Sequence, residues 1–329
     1  MHILILGAAG MVGRKLAERL ARDGRLGDVP IAKLTLFDVV EPARPAGAPS
    51  DTTVLAGDLS TPGQAGFLVS GRPDVVFHLA AVVSGEAETD FEKGYRVNLD
   101  ATRELLEAIR HSTGDGYRPR VVFTSSIAVF GAPFPADGIG DEFHHTPLTS
   151  YGTQKAIGEL LLSDYSRRGY LDGIGIRLPT ICIRPGLPNK AASGFFSGIL
   201  REPLNGQEAV LPVADTVRHW HASPRAAVEF LLHAATMDLR PLGQARSLTM
   251  PGLSATIGEQ IEALRRAAGD RAVALIRREP NPDIGRIVAG WPERFDARRA
   301  AGLGFRAETS FDEIVRVYIE DELGGRVPG

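Results

Sequence analysis

The chain begins with a short apolar run, His2–Leu6, which breaks at once into Gly7-Ala8-Ala9-Gly10-Met11-Val12-Gly13. Behind it lies a stretch whose Val12, Leu16, Ala17 and Leu20 share one helical face and which stops at Gly24. Three glycines at this spacing, between a strand and a helix, leave little choice of local structure. Gly7 can turn sharply, Gly10 lets the backbone come close to a pyrophosphate, and Gly13 lets helix and strand pack tightly. The first helical residues, Met11 and Val12 among them, then offer N–H groups and the positive end of the helix dipole to phosphates. A glycine triplet alone is weak evidence, and a merely tight turn is the alternative. The strand before it and the helix after it carry the reading.

The same alternation continues along the first half. Candidate strands are His2–Leu6, Lys33–Phe37, Thr53–Ala56, Val75–His78, Val121–Thr124 and Gly173–Arg177. Helical patterns lie between them, one over 90–111 with Leu105, Leu106 and Ile109 apolar, and one over 151–168 with Ile157, Leu160, Leu161 and Tyr165 expected inward and Gly169 as stop. Strands alternating with helices imply an α/β fold with a doubly wound parallel sheet, the Rossmann fold, and nearly all-apolar strands fit a sheet covered on both faces. After Leu178 prolines and glycines become frequent and the rhythm is lost. The expectation is a nucleotide-binding domain over 1–180 that carries the reacting groups. Residues 181–329 are expected to form a smaller, mainly substrate-binding region with segments returning to the main sheet.

Bulk properties narrow the function. With 329 residues, 43% hydrophobic and 23% charged, the chain is of ordinary globular composition. A net charge of −3 gives no electrostatic footprint for nucleic acid or an anionic membrane. The one cysteine, Cys182, excludes an internal disulfide and lies in an apolar run where it reads as a small core residue. No basic segment precedes the first apolar run, which is too short to be a signal peptide or a span, so a cytoplasmic location is expected. His219 and His221 flank Trp220 without companions, and no cluster has metal-ligand spacing, so no metal is expected.

Beyond the loop, Asp38 closes the second strand, where a carboxylate can accept from the ribose hydroxyls of an adenosine and repel a 2′-phosphate. That favours NAD over NADP; the alternative is an aspartate that only starts a turn. Asp58-Leu59 closes the third strand and could lie beside adenine, though Asp after Gly57 is also ordinary turn chemistry. Tyr151-Gly152-Thr153-Gln154-Lys155 places a phenol and an ammonium one turn apart on a helix. Free tyrosine titrates near about 10, and a nearby cation favours the phenolate. The pair is commonplace by itself and most often a surface pair. Its position at the start of a long helix, after the run of strand–helix units, raises it to an acid–base candidate. Upstream, an apolar strand ends in Ser125-Ser126, and ligands of doubly wound sheets sit beyond the carboxyl ends of strands.

These segments, with His78-Leu79-Ala80-Ala81, Val97-Asn98 and Ser125-Ser126-Ile127-Ala128-Val129-Phe130-Gly131, come in the order of the extended short-chain dehydrogenase/reductase superfamily, which the chain resembles over about residues 1–185. Phe130 stands where that superfamily commonly has tyrosine. The resemblance implies Tyr151 as general acid/base, Lys155 as the group that lowers its pKa and binds the nicotinamide ribose, and Ser126 on the reacting oxygen, with Ser125 beside it. It implies Ala80, Ala81 and Pro179 along the cofactor, Ser84 toward the substrate, and Asn98 as a structural asparagine of the cofactor site. Arg177-Leu178-Pro179-Thr180, Arg184-Pro185-Gly186-x-Pro188-Asn189 and the segment 191–204 resemble, more narrowly, NAD dehydrogenases of a four-carbon sugar acid. That implies oxidation of a hydroxyl next to a carboxylate. An anion needs a cation or N–H cluster, for which Arg184 and Arg218 are the candidates, with Asn189 nearby; a solvated surface arginine is the bland alternative. The expected partner is a small sugar acid, and pairing through helices such as 90–111 and 151–168 implies a homodimer. The rivals are a nucleotide-sugar epimerase or dehydratase with tightly held NAD, and a non-catalytic NAD sensor. Ile127-Ala128, where dehydratases commonly carry Asp-Glu, argues against the dehydratase.

Overall fold

A computed structural model of the chain describes residues 1–186 and 193–327. A seven-stranded parallel sheet runs Asp51–Ala56, Lys33–Asp38, His2–Leu6, Val75–His78, Arg120–Ser126, Asp172–Leu178, Ser247–Thr249 from one edge to the other. In chain order this is 3-2-1-4-5-6-7, so the winding reverses between His2–Leu6 and Val75–His78. That is the point where a doubly wound sheet opens a crevice beyond its strand ends. The registers level those ends: Leu6 pairs with Phe37 and with His78, and His78 with Phe123. Gly7, Asp38, Ala80 and Ser126 therefore emerge along one edge of the sheet.

The interior strands are covered on both faces, with Ile3, Leu4, Ile5 and Leu6 all buried, as their unbroken apolar runs require. Leu4, Leu6, Phe37, Val76, Val121 and Phe123 form one core with Leu105, Leu106 and Ile109 of the helix Ala101–His111. The first helix, Met11–Asp23, ends on Gly24 at φ 64, the left-handed cap a glycine supplies without strain.

Two helical readings need correction. The stretch 90–111 is not one helix: Phe91–Tyr95 passes into a π-helical turn, Arg96–Asp100, before Ala101–His111. The extra residue in that turn rotates Asn98 inward, where it is 1% exposed. The helix Ser150–Arg167 buries Gly152, Lys155, Ala156, Glu159, Leu162 and Ser166, while Leu160 is 63% exposed. Leu161 and Tyr165 pack against the core as expected, but polar side chains share the inner face because each finds a partner there: Lys155 the Thr124 carbonyl, Glu159 the Arg177 guanidinium and Ser125 hydroxyl, and Ser166 the Leu162 carbonyl.

The chain divides into two compact units. The first comprises Met1–Val129, Pro147–Arg177 and Val228–Leu248, and the second Phe130–Thr146, Leu178–Ala227 and Thr249–Gly329. The second unit holds a three-stranded sheet in the order Leu253–Thr256, Arg218–Ala222, Thr180–Ile181, and a two-stranded one of Ala209–Leu211 with Ile276–Arg278. Its core is built from Cys182, Phe196, Ile199, Leu200, Ile261, Leu264 and Ile314, so Cys182 packs as a small apolar residue. Among the described residues no helix is long and apolar enough to cross a membrane, and no group of acidic, histidine or cysteine side chains could hold a metal ion.

Candidate active site

The glycine loop is as tight as its spacing demands. Gly7 sits at φ 89, and a Cβ there would lie 2.7 Å from the Ala80 backbone nitrogen. A Cβ on Gly13 would lie 2.1 Å from the Gly7 carbonyl oxygen, so helix and loop meet at backbone distance. Gly10, exposed, is the N-cap of the helix; no side chain caps it and no acidic residue stands in the first turn. The N–H groups at Met11, Val12 and Gly13, which lack partners inside a helix by geometry, are left for an anion. The loop is fastened from below: the Gly7 and Ala8 N–H groups donate to the Phe37 carbonyl at 2.9 and 3.1 Å, and Ala9 N–H donates to Asp38 Oδ2 at 2.9 Å. Asp38, Asp58, Ala80 and Ala81 are all half-buried, with some surface left to meet a ligand. Asp58 Oδ1 accepts from the Ser60 N–H and hydroxyl. Leu59 packs its side chain into the core, so what remains for a ligand there is its backbone. This cradle of glycines, which any side chain would fill, fits the pyrophosphate of a dinucleotide.

At the end of the fifth strand the two serines separate. Ser125 is buried and its hydroxyl donates to Glu159. Ser126 is half-buried, and its Oγ accepts from Ala128 N–H at 3.1 Å, which leaves its own proton to donate. Thr149 caps the following helix by accepting from Gly152 N–H at 3.0 Å, fixing the turn that carries Tyr151. A Cβ on Gly152 would stand 2.2 Å from the Ala128 carbonyl oxygen, so this helix start lies directly against the turn that follows Ser126. Lys155 is 1% exposed; its Nζ donates to the Thr124 carbonyl at 2.8 Å and lies 5.8 Å from the centre of the Tyr151 ring. Burial pushes its pKa down to about 7, against a smaller upward pull from Glu159. Serine, tyrosine and lysine thus converge at the carboxyl edge of the sheet.

Around them is a polar frame, of which motif reading supplied Asn98 but not its partners nor the Glu159–Arg177 pair. Asn98 accepts from Val82 N–H at 2.8 Å and donates to the Val82 carbonyl at 3.1 Å and to Gln154 Oε1 at 2.8 Å. It pins the loop that holds Ala80 and Ala81 to the helix that holds Tyr151 and Lys155, and Ser84 opens the short helix beyond that loop. Arg177, on the sixth strand, clasps Glu159 through three hydrogen bonds. The sequence signal available for this pair was Arg177, a charge inside the otherwise apolar run Gly173–Leu178.

Of the residues expected toward a substrate, Arg184 and Arg218 belong to the second unit. Arg184 donates to the Ile181 carbonyl at 2.9 Å and to Ser193 Oγ at 3.0 Å. Arg218 donates to the Ser254 carbonyl at 3.0 Å and pairs with Glu259 at 3.3 Å. Pro179 is buried between the strands Asp172–Leu178 and Thr180–Ile181. His219 Nδ1 lies 3.0 Å from the Pro292 carbonyl and Nε2 2.8 Å from Thr180 Oγ1, so the imidazole bridges segments of its own unit. Asn189, with Lys190, lies outside the described residues.

The model of the NAD dependent epimerase/dehydratase family matches residues 3–240. The chain belongs to that family. It is 49% identical over 325 residues, 98% of either chain, to D-erythronate dehydrogenase of Cupriavidus necator. It is 40% identical to D-erythronate dehydrogenase of Haemophilus influenzae over 98% of this chain and 100% of that one. A crystal structure described as the nucleoside-diphosphate-sugar epimerase from Agrobacterium tumefaciens superposes with a TM-score of 0.97 at 68% identity, covering 100% of this chain and 96% of that one. This member of the epimerase/dehydratase family is an NAD-dependent oxidoreductase acting on a small molecule.

Proposed function

We propose that the enzyme oxidises the C2 hydroxyl of D-erythronate to 2-dehydro-D-erythronate, with Tyr151 as general base. The observation that carries this reading is the Tyr151–Lys155 pair with its buried amine, on a helix whose start lies against the turn that follows Ser126 at the carboxyl edge of the sheet. Two near full-length relatives named for that activity supply the substrate. Gly7, Gly10, Met11, Val12 and Gly13 would receive the pyrophosphate, Asp38 the adenosine ribose, and Asp58 and the Leu59 backbone the adenine. Ala80, Ala81 and Pro179 would line the nicotinamide end. NAD, when bound, supplies the acceptor for the hydride that leaves C2.

The chain's own groups handle the proton. Ser126 donates to the substrate oxygen and holds it beside the Tyr151 phenolate. Tyr151 takes the hydroxyl proton as the C2–H electron pair departs, leaving a 2-oxo acid. The Lys155 ammonium favours the phenolate electrostatically. Asn98, its amide engaged by Val82 and Gln154, serves by fixing the loop. For the substrate carboxylate the candidate cations are Arg184 and Arg218. A second copy of the chain covering Leu160 fits the expected homodimer.

An epimerase reading draws support from the name given to the 68% identical structure. The two part cleanly on NADH: an epimerase returns its hydride and accumulates none. The test is an absorbance assay with D-erythronate and NAD, against UDP-glucose as control, for the wild type and Tyr151→Phe. Steady NADH formation from D-erythronate, abolished in Tyr151→Phe while NAD still binds, supports the proposal. No NADH from D-erythronate, or a fully active Tyr151→Phe, overturns it.

A further inference from the structure

Lys155 holds an amine in a fully buried position, and a buried ammonium is unfavourable unless another charge answers it. From the strand Arg120–Ser126 it meets only the Thr124 carbonyl and the face of Phe123, whose ring centre is 4.8 Å from Nζ. From the strand Val75–His78 comes His78, which burial and then Lys155 itself push down to about 3, so that this imidazole is neutral. Its Nε2–H donates to Thr102 Oγ1, whose hydroxyl donates to the Asn98 carbonyl. On its own helix Lys155 has Tyr151 one turn before it and Glu159 one turn after. The acidic group that acts on Lys155 is Glu159.

That carboxylate is fixed in place. Arg177 Nε donates to Oε1 at 2.9 Å and to Oε2 at 3.1 Å, Arg177 Nη2 donates to Oε2 at 2.8 Å, and the Ser125 hydroxyl donates to Oε1. The two side chains are 3% and 5% exposed. A buried ion pair of this kind is weak evidence for stability, because well-packed apolar residues serve the fold as well or better. Its position, one turn from Lys155 and hydrogen-bonded to the neighbour of Ser126, points to the reacting groups instead.

We propose that Glu159 is a positioning residue for the Tyr151–Lys155 pair: clamped by Arg177 and Ser125, it fixes a negative charge one helical turn beyond Lys155 and so favours the ammonium form of the buried amine on the helix face that carries Tyr151. The proposal rests on the reading of Tyr151 and Lys155 given above. Arg177 acts through Glu159, by holding the carboxylate ionised and oriented.

Glu159→Gln is the obvious variant, but it strands the Arg177 guanidinium in the core and endangers folding. The decisive variant is therefore Glu159→Leu/Arg177→Met in the full-length chain, which removes both charges together. One readout is the pH profile of kcat/KM for D-erythronate with NAD. The alkaline limb, where Lys155 loses its proton, is expected to move to lower pH by about one unit, roughly a tenfold loss at pH values beyond it, with the KM for NAD unchanged. The second readout needs no substrate. The phenolate ultraviolet absorbance of Tyr151, taken by difference from the Tyr151→Phe counterpart, is expected to titrate at higher pH in the double variant than in the wild type. A phenolate titration superimposable on the wild type overturns the proposal, and so does a double variant that cannot fold, since the pair then belongs to the fold. Should D-erythronate prove not to be the substrate, the phenolate titration still decides the role of Glu159, so the two readings fail separately.

Discussion

Asp38 meets two demands with one carboxylate: Oδ2 takes the Ala9 N–H and braces the glycine loop, which leaves Oδ1 for a ribose. A charge-assisted hydrogen bond contributes about 1.5–3 kcal/mol. Asp38→Ala should therefore raise the KM for NAD by about ten- to a hundredfold while changing kcat little. It should not convert the enzyme to NADP. Arg44, the arginine that follows in the next loop, is held by the Pro49 and Thr52 carbonyls at 2.9 and 3.0 Å, so no cation replaces the lost repulsion. Initial-rate kinetics with both dinucleotides check this, and an unchanged KM for NAD would remove Asp38 from the site. Lys155 makes a prediction about stability. Its pKa falls from 10.5 to about 7 on burial, so between those values the unfolded chain holds a proton that the folded chain has shed. The unfolded state then binds more protons, and this residue's contribution to stability rises with pH across that window. Lys155→Met abolishes the slope. Relative to the wild type it should gain on the order of 3 kcal/mol at pH 7 compared with pH 10. Melting curves of both proteins over that range test it, and a gap independent of pH refutes it. At this scale the glycines, Tyr151 and Lys155 become candidates once their spacing is joined to their place among strands and helices, and the role expected of Ser126 comes from the family resemblance. Glu159 and Arg177 cannot be found in this way, since a strand and a helix distant in the chain must pack before their charges meet.

The helix Ser150–Arg167 is held against the serine strand by the absence of side chains. A Cβ on Gly152 would stand 2.2 Å from the Ala128 carbonyl oxygen, and one on Gly158 would stand 2.7 Å from the Phe123 ring. The first collision is with backbone, which cannot rotate away. Gly152→Ala must push the first turn of the helix outward, taking Tyr151 from Ser126. We expect stability to fall by about 1–3 kcal/mol. Activity should fall further, since a misplacement of about 1 Å can lower rates about a hundredfold. Gly66→Ala, on the helix Gln64–Ser70 where an added Cβ meets nothing, serves as the control with unchanged kcat. Full activity in Gly152→Ala would show that the close approach does not set the geometry. Element boundaries followed the punctuation: Gly24 and Gly169, at φ 64 and 79, stop their helices where expected. The π-helical turn at Arg96–Asp100 did not announce itself, because one extra residue leaves apolar periodicity nearly intact while it redirects Asn98. The inner face of Ser150–Arg167 is legible only in part, Leu161 and Tyr165 packing inward but Leu160 not, for a related reason. Apolar spacing finds the face that packs only when packing is apolar, and here that face carries Lys155, Glu159 and Ser166.

For the whole molecule, the sheet order and glycine loop decide the class of cofactor but not the fate of the hydride. Dehydrogenases and epimerases share this scaffold, and function resides in the site placed on it. The chain also crosses between its two units repeatedly; segments of 181–329 are expected to return to the main sheet, but a loss of alternation after Leu178 does not say which. The first unit is completed by Val228–Leu248. From that segment Phe230, Leu231 and Ala234 are buried, and the carbonyls of Ala234 and Met237 accept from the Arg120 guanidinium at 2.9 and 3.0 Å. The strand Ser247–Thr249 pairs beside Asp172–Leu178, where Gly175 N–H donates to the Arg246 carbonyl at 2.9 Å and a Cβ on Gly175 would lie 2.4 Å from Ser247 Oγ. A fragment of residues 1–180 would keep every glycine of the loop and the whole Ser126–Tyr151–Lys155 group. It would nonetheless bare an apolar strand edge, leave the Arg120 guanidinium without those carbonyls, and lose the buried apolar residues of Val228–Leu248. Unpaired apolar edges recruit other chains, so the fragment should aggregate or melt without cooperativity, and it should not retain NAD. Circular dichroism melts and dinucleotide binding of the fragment beside the full chain test this. A monomeric fragment that melts cooperatively and binds NAD would mean that the late-returning segment follows the fold of the nucleotide half rather than completing it.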